Sequence, residues 1–465
     1  MNRNEIKKKE LALISSKEKE NPLLFKKETF IESPEFLKKF GIFIKGKDNY
    51  PLGYLKLWPQ DFIVEETDDS GKLHTINTSE EKEVNGEGKT IYATMVKCGL
   101  STLEAVEELS NILNLDKKKI NFAGIKDKDA ITSQLISMRG VNINDVKNIE
   151  SPSLFLKDIY HGKGIVEIGK LKSNKFTILI RTTKDFQKKL FLDNLKKLDK
   201  EGFFNFFYLQ RFGTPRLINF HWGFLILKGE YEKAVLSFLS SPGERELPYF
   251  IKLREKLKEN FGNWQEIENI LSPLPLFFQC ELRVVSFLKK YPNNFAGALK
   301  EIPEQIKLWI FAFSSLLFND KLSSYIKEGK EPPEIIPLIL SDDKKDLEIY
   351  KTILSKNKAD ETIFNNLNNF PFIQLKKREI NTKEKINIID YKIVNEGVIL
   401  SFTLPKGSYA TTFLSQLFNL ASGLPPKDIY NYTIDTKATL GEESLENVLN
   451  KFKDVIYSKE DSPQN

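Results

Sequence analysis

Cysteine and histidine are scarce in this 465-residue chain. It contains two cysteines, Cys98 and Cys280, and three histidines, His74, His161 and His221. There is no CxxC pair and no Cys/His cluster, so the sequence excludes a disulfide-stapled scaffold and argues against a structural zinc site. Two distant cysteines are typical of a reducing compartment, which predicts a cytoplasmic location.

Long apolar runs are also missing. The densest one, Trp309 to Phe318, has ten residues, about half of the ~20 that a membrane-spanning helix needs. It therefore predicts a buried helix, and we expect no membrane association. The first residues lead into lysines and glutamates rather than an apolar segment, so we also expect no signal peptide.

Several catalytic and cofactor signatures do not occur. The G-x-S-x-G, H-E-x-x-H and EF-hand patterns are missing, and Gly162, Gly164 and Gly169 lack the spacing of a dinucleotide-binding loop. The common hydrolase and nucleotide-cofactor classes are therefore disfavoured.

The chain has a mild excess of positive charge. Its formal net charge is +6, and the first 50 residues hold 12 Lys or Arg and 8 Asp or Glu. We predict that residues 1–38 form a Lys/Glu-rich arm, mobile or loosely helical. Such an excess fits a nucleic-acid partner, but it fits many cytosolic enzymes equally well.

Strand patterns occupy both ends of the remaining chain, and helical patterns occupy its middle. From about residue 230 to 385, Leu, Phe and Ile recur at helical spacing with intervening prolines, as in an inserted helix-rich domain. Ser101 and Glu104 form a capping box that predicts a helix, and a second helix is predicted from near Tyr409 to Gly423, with Ser408 as N-cap. Strands are predicted at Tyr54–Leu57, Phe62–Glu65, Thr90–Cys98, Ile120–Ala123, Ile131–Met138, Phe176–Thr182, Ile386–Ile393 and Val398–Thr403.

Two polar segments are candidates for chemistry. In Phe122–Gln134, the carboxylate of Asp127 stands between Lys126 and Lys128 in a loop after a buried strand. Neighbouring cations favour an ionised carboxylate, which suits a nucleophile or a base, although a solvated charged turn explains the same residues. Asn205–Gly213 combines four aromatic residues, two amides and an arginine. This composition fits an unstacked nucleotide, or a buried aromatic strand.

Together with a third segment, these motifs resemble the TruD family of tRNA pseudouridine synthases. The family patterns and their matches, in family order, are K-x-x-P-x-D-F-x-V-x-E at Lys56–Glu66, F-A-G-x-K-D-K-x-A-x-T-x-Q at Phe122–Gln134, N-x-F-x-x-Q-R-F-G at Asn205–Gly213, a weaker S-x-L-F-N at Ser315–Asn319, and L-P-x-G-S-[FY]-A-T at Leu404–Thr411. Gly41-Ile42 is more similar to the archaeal and eukaryotic branch than to the bacterial one.

The resemblance implies an α+β architecture. The expected catalytic domain has the pseudouridine-synthase fold, a largely antiparallel mixed sheet with flanking helices, and it is interrupted by an inserted α/β TRUD domain. The expected limits are 1–38 for the arm, 39–228 and 386–458 for the two parts of the catalytic domain, 229–385 for the TRUD domain, and 459–465 for a disordered tail.

The resemblance also implies a reaction, the isomerisation of an RNA uridine to pseudouridine, with uridine 13 of tRNA as the family's usual target and other RNAs as alternatives. No metal, nucleotide or redox cofactor is implied. Asp127 matches the catalytic aspartate, and Lys56 matches a supporting lysine that is expected to pair with it and keep it charged. Substrate-contacting positions match Phe62, Asn205, Phe207 and Tyr409. The sequence leaves the oligomeric state open.

Two other functions remain alternatives. A catalytically inactive RNA-binding relative would keep the aromatic residues and lose the aspartate, whereas Asp127 and Lys56 are both present. An RNA base glycosylase would also flip a base but would release free uracil. A methyltransferase is disfavoured because no glycine-rich cofactor loop follows a strand.

Overall fold

The chain forms two compact units. We call Asn49–Phe203 with Glu384–Asn465 the sheet unit, and Met1–Asp48 with Phe204–Lys383 the helical unit. The helical unit therefore interrupts the sheet unit in sequence. The computed structural model describes residues 3–78, 86–340, 343–373 and 377–457.

The limits of these units differ from those of the predicted domains. The chain crosses between the units three times, after Asp48, after Phe203 and after Lys383. The last crossing is close to the predicted end of the insertion at 385, but the crossing before it falls at Phe204 rather than at 229. The 39–228, 229–385 and 386–458 limits stay a prediction about family domains, since compactness alone does not define them. The predicted tail, 459–465, lies outside the described residues.

One mixed sheet dominates the sheet unit. Its strands are β1 (Leu52–Tyr54), β2 (Phe62–Asp68), β3 (Leu73–His74), β4 (Thr90–Cys98), β5 (Ile120–Phe122), β6 (Ile131–Arg139), β7 (Leu154–Gly162), β8 (Leu171–Arg181), β9 (Asn387–Val394), β10 (Gly397–Pro405) and β11 (Asn419–Gly423). Two short strands, Phe203–Phe204 and Lys383–Glu384, lie at the boundaries of the units.

Seven strands lie in the order β11-β1-β8-β2-β6-β4-β7. In addition, β10 pairs with β8, and β9 pairs with β10. Two neighbouring pairs are parallel, β1 with β11 and β2 with β6, and the other pairs are antiparallel. The predicted largely antiparallel mixed sheet is therefore confirmed. Because β2 and β6 are parallel neighbours, with Ile63 opposite Ile131, the segments that precede these strands reach the same edge of the sheet.

Helices flank this sheet. In the sheet unit they span Thr102–Ile112, Ile143–Lys147, Lys188–Glu201, Ala410–Leu414, Thr436–Thr439, Glu446–Lys451 and Lys453–Ile456, with 3₁₀ turns at Pro59–Asp61 and Lys117–Lys119. The first begins as predicted: Ser101 Oγ accepts from the Glu104 N–H, and the Glu104 carboxylate accepts from the Ser101 N–H. Its buried residues Ala105, Val106 and Leu109 pack on Met95 and Ile136 of the sheet.

Two local predictions in this unit are wrong. The strand predicted at Tyr54–Leu57 ends at Tyr54, because Lys56 has a positive φ of 61° and breaks the extended backbone. The helix predicted from Tyr409 to Gly423 is short, Ala410–Leu414, with Tyr409 rather than Ser408 as N-cap, and Gly423 ends a strand instead.

The helical unit consists mainly of α-helices. They span Arg3–Glu20, Pro34–Lys38, Asn219–Leu227, Tyr231–Ser240, Pro248–Glu259, Trp264–Leu271, Gln279–Lys290, Phe295–Lys300, Pro303–Lys327 and Lys344–Lys356, and its strands are Thr29–Ile31, Ile335–Leu338 and Arg378–Asn381. The last two strands pair antiparallel. Its 3₁₀ segments include Pro22–Phe25, Leu209–Phe212 and Ile363–Asn369, and a further 3₁₀ turn, Lys47–Asn49, lies at a unit boundary.

The long helix Pro303–Lys327 forms the centre of the helical unit. Its Trp309 is 1% exposed and packs against Trp222 and Phe238 at ring-centroid distances of 4.8 and 5.0 Å. Gly223 allows this approach, since a Cβ there would lie 2.1 Å from the Trp309 carbonyl oxygen. The prediction of a buried helix over Trp309–Phe318 is confirmed. Within the described part of the chain, no helix is long and apolar enough to cross a membrane.

The N-terminal segment, predicted as a mobile or loosely helical arm, forms a helix over Arg3–Glu20 and belongs to the helical unit. Its first helix is mostly polar in composition, yet Glu10 is 8% exposed and accepts from the backbone N–H groups of Leu276 and Phe277 at 2.5 and 3.3 Å. Phe25 stacks on Tyr249 with ring centroids 4.8 Å apart. These contacts are long-range, so local composition could not reveal them.

We expect Phe25→Ala to destabilise the protein by about 3 kcal/mol, because Phe25 is 7% exposed and its removal leaves a cavity. Thermal unfolding followed by circular dichroism measures the effect. Leu23→Ala is the matched control: this neighbour in the same 3₁₀ turn is 76% exposed. Equal melting temperatures for the two variants would contradict the packed arrangement of this segment.

Candidate active site

An ion pair at one edge of the sheet joins two of the sequence motifs. Lys56 Nζ lies 2.9 Å from Asp127 Oδ2, and their side chains are 27% and 54% exposed. Lys56 precedes β2 and Asp127 precedes β6. The parallel pairing of these two strands therefore brings together residues that are 71 positions apart in sequence.

Stability does not explain this arrangement. An exposed ion pair contributes about 0–1 kcal/mol, whereas a non-glycine residue held at positive φ costs of order 1–3 kcal/mol. Lys56 has such a backbone, with φ at 61°. Strain that an exposed contact does not offset is typical of functional sites.

A buried arginine fixes the turn between Lys56 and β2. Arg181 binds Asp61 through two hydrogen bonds, of 2.7 and 2.9 Å, and both side chains are 0% exposed. Asp61 also accepts from the Trp58 N–H at 3.1 Å. The D of the K-x-x-P-x-D-F pattern thus acts in the structure as the anchor of the segment that carries Lys56.

The loop that carries Asp127 is anchored by its neighbouring lysines. Lys126 points inward to the buried carboxylate of Glu66, which also accepts from the Leu135 N–H at 3.2 Å. Lys128 points the other way and binds Glu104 at 2.9 Å. The two flanking lysines are thus paired with other carboxylates, and the ammonium that contacts Asp127 is that of Lys56.

The same region holds a carboxylate that stays ionised down to acidic pH. Burial of Glu104 favours a higher pKa, but hydrogen bonds from Ser101 and from Lys128 outweigh burial and lower the pKa to about 2. Glu104 both caps the helix Thr102–Ile112 and binds Lys128 of the Asp127 loop. It therefore couples the start of that helix to the Asp127 loop.

Behind the loop lies a polar network that sequence reasoning missed. Lys97, which is 0% exposed, donates to the carbonyl oxygens of Asp127 and Leu100 at 2.8 and 2.6 Å. Thr102 Oγ1 accepts from the Lys126 N–H and donates to Gln134 Oε1, both at 2.8 Å. The available signal was a lysine inside the apolar strand β4, beside Val96 and Cys98.

Phe62, a predicted substrate contact, is 2% exposed. The Lys56 ammonium lies over its ring, 4.3 Å from the centroid, and Phe176 packs on it edge-to-face at 6.3 Å. The ring therefore supports the lysine in this conformation. A base could reach its face only if Lys56 moved.

Tyr409, another predicted contact, lies in the sheet unit after β10. It is 39% exposed and precedes the short helix Ala410–Leu414. The turn that leads to it is connected to the segment Phe122–Gln134 through Gly169. Lys406 donates to the Gly169 carbonyl at 3.3 Å, and the Gly169 N–H donates to the Ala123 carbonyl at 2.7 Å. Its aromatic side chain is partly open to solvent.

The remaining two predicted contacts, Asn205 and Phe207, lie in the helical unit. Asn205 Nδ2 donates to the Asn381 carbonyl at 3.0 Å, and the half-buried Phe207 ring packs edge-to-face on Phe318. Asn319 accepts from the Phe207 N–H and donates to its carbonyl, at 2.9 and 2.8 Å. The S-x-L-F-N segment thus supports the backbone of the N-x-F segment.

The geometry suits acid–base or nucleophilic chemistry on a ligand that approaches Asp127 from solvent. Asp127 is exposed, while its loop is held from behind by buried side chains and its carboxylate is oriented by an ammonium. A carboxylate with a fixed backbone and a free approach can attack carbon or remove a proton. Among the described residues, no group of three or more His, Cys, Asp or Glu could hold a metal ion.

Comparison with known proteins points to one family. Residues 47–338 match the family model of tRNA pseudouridine synthase D (TruD). The chain is 29% identical over 388 residues to a protein of Methanocaldococcus jannaschii named probable tRNA pseudouridine synthase D 1, which covers 79% of this chain and 96% of the relative. It is 27% identical over 372 residues to the tRNA pseudouridine synthase D of Aquifex aeolicus. That alignment covers 72% of this chain and 93% of the relative.

A solved structure matches as well. A crystal structure assigned to tRNA pseudouridine synthase D (TruD) of Methanosarcina mazei superimposes with a TM-score of 0.66 and covers 83% of this chain and 98% of that one. The two sequences are 24% identical, so this match shows a shared fold.

Proposed function

This chain belongs to the tRNA pseudouridine synthase D (TruD) family, and we propose that Asp127 is the residue with which it converts uridine to pseudouridine in tRNA. The observation that supports this role is the Lys56–Asp127 pair: an exposed carboxylate, oriented by an ammonium at 2.9 Å, at the edge of a sheet. Lys56 is the supporting residue.

The reaction is an isomerisation that needs no other reactant. The N1–C1′ bond of uridine breaks, the uracil rotates, a C1′–C5 bond forms, and the proton on C5 is lost while N1 gains one. Asp127 either attacks C1′ directly or removes a proton from C2′. Both routes use a carboxylate with an open approach, and Asp127 has one because its side chain is 54% exposed.

A uridine must leave its stack to reach this carboxylate, because a base within a folded tRNA is shielded by its neighbours. We propose that Phe62, Asn205, Phe207 and Tyr409 contact the extruded nucleotide. An aromatic ring and an amide are suitable groups, since a base stacks on the first and bonds the second through its edge. Phe62 would take part after Lys56 turns from its ring toward the substrate.

For Tyr409, we expect packing against uracil rather than proton transfer. Tyr409→Phe then keeps most of the activity, whereas Tyr409→Ala loses stacking worth about 1–3 kcal/mol, a 5- to 150-fold decrease in kcat/KM. Single-turnover assays over a range of tRNA concentrations measure it. A phenylalanine variant as slow as the alanine variant would show instead that the hydroxyl takes part in the chemistry.

For the substrate, we propose uridine 13 of tRNA, with other RNAs as further substrates. We propose the cytoplasm as the place of the reaction. Pseudouridine mapping of total RNA from cells with and without the gene tests it. We expect one tRNA position to lose pseudouridine in the deletion strain and to regain it when the purified chain is added. Loss at a position other than 13 would overturn the site assignment and leave the reaction in place.

An RNA base glycosylase and an inactive RNA-binding relative predict other products. The glycosylase would release free uracil, and the inactive relative would leave uridine unchanged. Nucleoside analysis of the tRNA, with uracil measured in the supernatant, distinguishes all three. We expect uridine lost and pseudouridine gained in equal amounts, with no uracil.

A further inference from the structure

Lys97 is a buried cation that donates hydrogen bonds to two main-chain carbonyls. Its side chain is 0% exposed, in the middle of the sheet unit, and its ammonium donates to Asp127 O at 2.8 Å and to Leu100 O at 2.6 Å. Burial lowers the pKa of Lys97 to about 8, while the nearby charge of Asp127 acts in the opposite direction. A methionine of similar length would fill the same space without the cost of burying a charge.

The two carbonyls belong to different segments. Leu100 lies between β4 and the helix Thr102–Ile112, and Asp127 lies in the loop before β6. Thr102, two residues beyond Leu100, binds the Lys126 N–H at 2.8 Å. Two consecutive residues of the loop, Lys126 and Asp127, are therefore attached to the same short segment, one through a hydroxyl and one through the Lys97 ammonium.

We propose that Lys97 is a positioning residue for catalysis: by holding the main chain of Asp127, it fixes where the exposed carboxylate meets the substrate. This inference rests on the proposed role of Asp127. The residues from Asp127 to Asp129 are exposed, and Lys97 holds the main chain of Asp127 from the buried side. Displacing a reacting group by about 1 Å can cost about 100-fold in rate.

A second buried lysine in the same sheet provides a matched control. Lys157 on β7 is 6% exposed and donates to the Asn77 carbonyl at 2.6 Å and to Thr75 Oγ1 at 3.1 Å, and burial lowers its pKa too. Its partners lie outside the Asp127 loop. Replacing it removes a comparable buried ammonium without touching the main chain of Asp127.

The test compares Lys97→Met with Lys157→Met in the full-length chain. Three quantities are measured: the single-turnover rate of pseudouridine formation at saturating enzyme, the Kd for tRNA, and the thermal unfolding midpoint. We expect Lys97→Met to lower the rate about tenfold or more, with Kd changed less than threefold. We expect Lys157→Met to leave the rate within twofold, whatever its unfolding midpoint.

Further variants keep the proposal testable if Lys97→Met does not fold. Lys97→Arg keeps the charge and its donors, and Lys97→Gln keeps only neutral donors; we expect the arginine variant to be the faster of the two. A rate within threefold of wild type in folded Lys97→Met, or an equal loss in Lys157→Met, would overturn the positioning role. Asp127→Asn is measured alongside: if it is active, the proposed role of Asp127 fails, and if it is inactive, only the role of Lys97 is in question.

Discussion

Replacing Lys56 by methionine lowers the single-turnover rate of pseudouridine formation by about 100-fold, while stability changes by less than about 1 kcal/mol. The reason is that Lys56 and Asp127 form an exposed pair, with 27% and 54% of the side chains accessible, so folding gains little from it. The reaction loses more, because the ammonium orients the carboxylate and stays beside it as charge develops on the substrate.

Lys128→Met is the matched control for this prediction. Lys128 forms an ion pair of the same length, 2.9 Å, from the same loop, with a partner, Glu104, that does not react. At saturating enzyme we expect a much smaller loss of rate than for Lys56→Met, because Lys128 binds Glu104 rather than Asp127 and the loop is still held from behind by Lys97 and Thr102. If the two lysine variants were equally slow, loop charge in general would explain the loss, and the specific role of Lys56 would be contradicted.

Much of the sheet could be predicted from local pattern. Thr90–Cys98 matches its strand to the residue, and the capping box at Ser101 and Glu104 starts its helix as expected. The predictions of local structure failed at two places where the path of the chain overrides the local pattern. At Lys56 the chain leaves the extended conformation although its neighbours favour strand, and after Tyr409 helical spacing ends at Leu414 because the chain turns into β11.

The motifs predict the residues of the site and its central ion pair, Lys56 with Asp127, but not the contacts that hold the Asp127 loop. Sequence proximity places Lys126 and Lys128 beside the carboxylate. The structure assigns those lysines to Glu66 and Glu104. Glu66 and Lys126 are 60 residues apart in sequence, and they meet because β2 and β6 pair in parallel, a relation that no local pattern contains.

The largest expected effect belongs to Asp127→Asn. The amide has nearly the volume of the carboxylate, but it carries no charge and is a poor nucleophile and base. We expect the single-turnover rate to fall by at least about 1,000-fold. Stability should change little because Asp127 is exposed, and tRNA binding should survive, since phosphate contacts elsewhere supply most of the affinity for nucleic acid. Asp129→Asn, an exposed neighbour in the same loop, is the control.

The most direct test is a time course of pseudouridine formation in tRNA from a strain that lacks the gene. Wild-type protein, Asp127→Asn and Asp129→Asn are each supplied in excess over tRNA, with binding measured in the same buffer. We predict equal binding by all three, pseudouridine formed at similar rates by wild type and Asp129→Asn, and none above background with Asp127→Asn. Pseudouridine formed by Asp127→Asn at the wild-type rate would contradict the catalytic role of this carboxylate.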